Sequence, residues 1–334
     1  MADQRAEVPK RAGGRPLAPL YRTGFVALPD NGNEPLGPFH GAGWTAELVP
    51  NHPKIVGGSE IVIRAGSWAS AQRAADLINA SRVLVNGDPD VLGSIHPLAH
   101  NEGEPVWMND AERAAIPDPL VSQSWLPTAC AVAAKASRRR PWTYAVTNYQ
   151  FSMELFSVHH MDMHPSYPNR FGVSGHPADH VMFSHAILSA FLAIEHLGLG
   201  VPAGPGKPSR IGGVWNPVVL EDLQGRLRHA GIDPAESILW TVRGPARRIE
   251  RKRALPVGAS PSWAGGPVRD RSVPLPDAIA YSDFLRDRVA AHGERNLVRS
   301  LSPHDVVNVQ GLARYLLLST MGHRVWEVPH RRRT

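Results

Sequence analysis

Apolar residues recur every three to four positions from Trp68 to Leu84, where Ala71, Ala74, Ala75, Ile78 and Val83 share a stripe that predicts a helix. The same period is strongest from Asp179 to Leu197. Phe183, Ala186, Ile187, Ala190, Phe191 and Ile194 build its apolar face, with Asp179 after Pro177 as a start signal and Gly198 as the stop. Helical spacing extends over Tyr144–Val158, Thr128–Ala136, Pro217–His229, and Glu236–Arg253, the last interrupted by Gly244-Pro245. Asp277–His292 reads as a further helix closed by Gly293. Ser302-Pro303, an N-cap followed by an N1 proline, opens the final one.

The first half is patterned differently. Glu60-Ile61-Val62-Ile63-Arg64 predicts a strand, and short apolar pieces at Phe25–Leu28 and Glu47–Val49 among recurrent Gly and Pro predict loops with short strands. Residues 86–127 are irregular and rich in Pro, Asn and Asp. The expected fold is therefore mainly α: a C-terminal antiparallel helical bundle with an irregular α+β N-terminal region. Expected boundaries are a flexible basic arm at 1–20, the α+β region at 21–140, the helical domain at 141–325 and a basic tail at 326–334. No internal repeat is present.

Composition narrows the class. With 43% hydrophobic and 20% charged residues among 334, the chain is of globular rather than disordered type. No apolar run reaches membrane-spanning length and the start lacks a signal-peptide core, so a cytoplasmic protein without membrane partners is expected. The single cysteine, Cys130, excludes an intrachain disulfide and a cysteine-based zinc site. It lies in an Ala-rich helical stretch and reads as structural. A formal charge of +6 favours an anionic partner, with RNA the leading expectation. Arg243, Arg247, Arg248, Arg251, Lys252 and Arg253 form the run best suited to a phosphate backbone; a solvated basic helix is the plainer alternative.

Two constellations carry candidate chemistry. One is a histidine-rich stretch, His159, His160, Asp162 and His164, followed by His176, His180 and His185. Alternation of His160, Asp162 and His164 would bring imidazole and carboxylate ligands to one side of an extended segment, as a zinc, manganese or iron site requires. No metalloenzyme signature accompanies them. The other is Arg286-Asp287 followed by His292 and Gly293, at the end of a helix. Arginine stabilises charge on phosphorus and histidine moves protons near neutral pH, the two services RNA cleavage needs. Three other Arg–His pairs match the spacing, at 170/176, 299/304 and 324/330, but they fall in a Pro/Gly loop, across Pro303 and in the tail.

Arg286, Asp287 and His292, on a helix that precedes the last amphipathic helix, resemble the R-x(4–6)-H motif of the HEPN superfamily. Ala193-Ile194-Glu195-His196-Leu197 is similar to the acidic segment of the first HEPN helix, particularly in Apea-like members. The resemblance spans residues 179–320 and departs from a compact HEPN bundle in the long insertion between Gly198 and Pro274. It implies a metal-independent endoribonuclease with no cofactor, in which His292 assists proton transfer and Arg286 stabilises the developing charge. Asp287 would orient either group and Glu195 would pair with the arginine. It also implies a toxin-like or defensive role, a homodimer, and an inhibitory or regulatory protein partner. Six steps along an ideal helix rotate by about 600°, so Arg286 and His292 converge only through a bend or across two chains. The alternatives left open are a non-catalytic RNA- or protein-binding module and a metal-dependent hydrolase using His159–His164.

Overall fold

The computed structural model describes residues 20–27, 36–52, 55–87, 126–157, 177–204, 206–243, 247–248, 256–257, 268–287 and 303–323. Among these the chain is mainly α and divides into two compact units, with the boundary between Arg140 and Pro141.

In the first unit four strands, β1 (Leu20–Ala27), β2 (Leu36–Gly41), β3 (Trp44–His52) and β4 (Ile55–Ala65), pair antiparallel in the order β1-β4-β3-β2. Alternation puts Ala46, Leu48, Ile61 and Ile63 on a buried face. Helices α1 (Trp68–Asn86) and α2 (Leu126–Ser137) supply small residues, among them Ala71, Ala74, Ala75, Ala129, Cys130 and Ala133, so that the two pack closely together. At the β2–β3 turn a Cβ on Gly41 would lie 2.0 Å from the Trp44 ring, so only glycine fits. The strand pieces legible in the sequence are thus parts of one continuous sheet.

The second unit holds α3 (Arg140–Leu155), α4 (Pro177–His196), α5 (Pro217–His229), α6 (Leu275–Phe284) and α7 (Pro303–Thr320). Helix α4 lies along α7, burying Phe183, Ile187, Phe191 and Ile194 together with Val309, Leu312 and Leu316. Gly198 ends α4 in a left-handed conformation (φ 74°), its N–H bonding to Glu195 and that of Leu199 to Ile194, a closed helix terminus. A buried polar relay ties three helices: Ser152 of α3 donates to the Ala186 carbonyl at 2.7 Å. Gln310 of α7 donates to Ser152 Oγ at 3.0 Å and to the Phe156 carbonyl at 2.7 Å. Such a relay stabilises because every buried polar atom in it finds a partner. Asn216 caps α5 through Val218, with Pro217 at the first helical position.

The expected helix over Glu236–Arg253 does not form. Its first part is strand β7 (Ser237–Arg243), paired antiparallel with β10 (Val268–Pro274). Between them in the chain, β8 (Arg247–Arg248) pairs with β9 (Pro256–Val257). The reason is both local and remote: Ile238, Trp240, Thr241 and Val242 favour the pleated state, and a partner strand supplies the backbone hydrogen bonds a helix would have made. Arg210–Ile211 (β5) and Val214–Trp215 (β6) form a small hairpin. The expected helix over Asp277–His292 is described only as far as Asp287. Helix α6 stops at Phe284 and one wider turn of π type, residues 285–287, follows. Residues 288–302 lie outside the described set.

Candidate functional site

Helix α4 brings Glu195 to its last turn, and the π turn after α6 presents Arg286 against it. Arg286 Nη2 donates to Glu195 Oε1 at 2.9 Å and to Asp283 Oδ1 at 2.8 Å. The guanidinium also lies over the Phe191 ring, 5.0 Å from its centroid, a cation–π contact one helical turn before Glu195. Arg286 Nε is buried with no hydrogen-bond partner. Turns of π type are frequent at functional sites, and Arg286 is one of the described residues of this one.

The electrostatics are unequal. Burial pushes the Asp283 carboxyl above its ordinary range; the adjacent Arg286 opposes that, while Glu195 and Asp287 push it further up. Two carboxylates, Glu195 and Asp283, thus share one guanidinium, and Asp287 adds negative charge near Asp283. The side chains of Arg286 and Glu195 are 31% and 39% exposed, so solvent screens the pair and it stabilises by no more than about 1 kcal/mol. Its effect is to hold a cation in one orientation rather than to hold the fold together.

Of the residues singled out in the sequence, the structure brings Arg286 and Glu195 into contact and places Asp287 near enough to Asp283 to raise its carboxyl. His292 lies outside the described residues. So do His159, His160, Asp162 and His164. Arg251, Lys252 and Arg253 lie outside it as well, whereas Arg243, Arg247 and Arg248 are in strands β7 and β8 rather than in a helix. Among the described residues no group of three or more His, Cys, Asp or Glu is placed to hold a metal ion, and no helix is long and apolar enough to cross a membrane. Sequence reasoning missed Asp283 and Phe191. Both had a signal: Asp283 is three residues before Arg286 and Phe191 four before Glu195, the spacings that share a helix face.

A second charged cluster lies at the start of α6. Asp277 Oδ1 accepts from Arg210 Nη2 at 2.5 Å and from Trp215 Nε1 at 2.7 Å, while Arg210 stacks on the Trp215 ring at 4.6 Å. The carboxylate sits where the helix dipole favours negative charge, and the cluster fastens the β5–β6 hairpin to α6. A third polar contact is buried at the start of α7, where Tyr281 donates to Asp305 at 3.3 Å. Burial, with the Asp305 charge beside it, raises the Tyr281 phenol well above its ordinary value. Both contacts join neighbouring elements and read as structural, although Arg210 Nε is buried without a hydrogen-bond partner.

No family model matches this chain, and neither a curated protein nor a solved structure matches it.

Proposed function

We propose that the helical unit is a metal-independent endoribonuclease with a HEPN-like bundle, and that its site is centred on Arg286. The observation that carries this reading is the Arg286–Glu195 contact, which links the arginine of the motif to the acidic residue of α4 across 91 positions of sequence. In this mechanism the 2′-oxygen of RNA attacks phosphorus and the 5′-oxygen leaves. The proton released by the 2′-hydroxyl passes to the His292 imidazole or to water, and His292 returns a proton to the leaving oxygen. Arg286, fixed by Glu195 and Asp283, stabilises the charge that accumulates on the phosphoryl oxygens. Asp287 orients the arginine or the histidine. The products are a 2′,3′-cyclic phosphate and a 5′-hydroxyl, and no metal takes part. A toxin-like or defensive role, a homodimer that completes the site and a protein partner that restrains it go with the reading.

A specific observation favours a second reading. Arg286 already donates to two carboxylates, which offset its charge as a purely structural arginine would require. In that case the unit is a binding module for RNA or protein that keeps the arrangement as scaffold.

The experiment is cleavage of RNA by the full chain in excess EDTA, with His292→Ala and Arg286→Ala alongside. Cyclic phosphate ends that vanish in both variants are expected. Salt-sensitive RNA binding without cleavage by the wild type would replace the first reading with the second.

A further inference from the structure

Helix α3 carries two exposed rings in line. Tyr144 and Phe151 are 46% and 51% exposed. Seven residues of α-helix bring a side chain back to nearly the same face, about 10 Å further along the axis. The opposite face buries Ala145, Val146, Tyr149, Ser152 and Met153, so the packing of α3 against the unit leaves both rings towards solvent. Between them lie Thr147 and Asn148, whose side chains donate back to the carbonyls of Thr143 and Tyr144 on the same helix.

One end of this line meets the candidate site. The Tyr144 ring stacks on His196, with centroids 5.5 Å apart and planes inclined by 26°. His196 is the last residue of α4 and directly follows Glu195, the carboxylate that receives Arg286. The stack orients the Tyr144 ring and still leaves it nearly half exposed.

Oriented, exposed rings beside a partly exposed guanidinium are the pair of groups that holds a single-stranded nucleic acid, where bases stack on rings and a cation meets the backbone. A duplex offers such rings nothing to stack on, because its bases are already stacked inside and its surface is sugar and phosphate.

We propose that α3 is a stacking platform for single-stranded RNA, with unpaired bases on Tyr144 and Phe151 and the strand reaching Arg286 at the Tyr144 end. Every base has a π face, so such a platform selects for the absence of pairing rather than for sequence. That the strand is RNA, and that its phosphate goes to Arg286, rests on the function proposed above; the alignment of the two rings does not.

The test measures binding of the full chain to a 2′-O-methyl RNA strand of about 12 nucleotides containing 2-aminopurine, and to the same strand in a duplex. The single strand should bind more tightly, and its 2-aminopurine emission should be quenched as the base stacks. Tyr144→Ala and Phe151→Ala should each weaken single-strand binding on the order of 10-fold and leave the duplex unaffected. Tyr144→Trp and Phe151→Trp keep a ring, should bind like the wild type, and guard against a folding defect. Unchanged single-strand affinity in either alanine variant, an equal loss for the duplex, or no single-strand binding by the wild type would overturn the proposal. So would self-association that both alanine variants abolish with strand binding intact, which would assign the rings, with the exposed Val181 and Leu192 of α4, to a contact between copies of the chain. Because 2′-O-methyl strands have no attacking hydroxyl, binding is read whether or not the protein cleaves RNA. Cleavage to cyclic phosphate ends by a chain whose alanine variants bind normally would sink the platform alone. Strand binding through both rings without cleavage would sink the nuclease reading alone.

Discussion

Arg286 and Glu195 stand 91 residues apart in the chain and 2.9 Å apart in the fold, joining the wide turn after α6 to the last turn of α4. Both side chains are about a third open to solvent, so Glu195→Gln should lower stability by no more than about 1 kcal/mol. If the glutamate positions Arg286 for chemistry, RNA cleavage in the same variant should fall on the order of 100-fold. Denaturant melts and cleavage rates separate the two effects. A variant that melts several kcal/mol lower while cleaving normally would make the pair structural.

Asp283 gives the site a pH signature. Its carboxyl is raised in the folded protein, chiefly by burial, so the native state holds a proton that the unfolded chain releases more easily. The wild type is therefore most favoured, relative to a variant that cannot titrate, below the ordinary aspartate range. That advantage is lost as pH rises through the native value. The melting temperature of the wild type minus that of Asp283→Asn should increase as pH falls from neutral towards 4. A difference that is flat with pH, or that shrinks on acidification, would contradict the raised carboxyl.

Asn308 is expected to be a structural weak point for the β7–β10 pair. Its side chain satisfies both the N–H and the carbonyl of Thr241, and Asn308→Ala removes two hydrogen bonds at once. The expected cost is about 2 kcal/mol. Asn308→Asp keeps the acceptor but faces the Thr241 carbonyl with a second oxygen, so it should be at least as harmful at neutral pH and less so in acid. Chemical denaturation at two pH values distinguishes the two variants.

Cys130 should be inert in the native state. Burial pushes its thiol up to about 12, against the opposing pull of Arg82, so almost no thiolate is present at pH 8. Alkylation by iodoacetamide should be negligible for the folded protein and rapid in denaturant. Fast native alkylation would mean that the interface between α1 and α2 opens.

Local periodicity is enough to determine α1, α4, α5 and α7, because a helix makes its backbone hydrogen bonds with residues four away and shows its buried face at every turn. Gly198 marks the end of α4, where its left-handed conformation stops the helix. The arginine motif, too, is legible as a set of residue types. Tertiary structure alone decided the rest. Ile238 to Val242 became a strand because Val268–Pro274, some thirty residues on, offered a partner, and no window of local sequence contains that information. Asp283 and Phe191 joined the site because α4 and α6 pack together, which fixes the two carboxylates and the ring around one guanidinium. The sequence by itself thus determined which segments coil and which side chains carry charge. Which of those charges meet was decided only by packing, because their contacts close loops of tens of residues that no local propensity encodes.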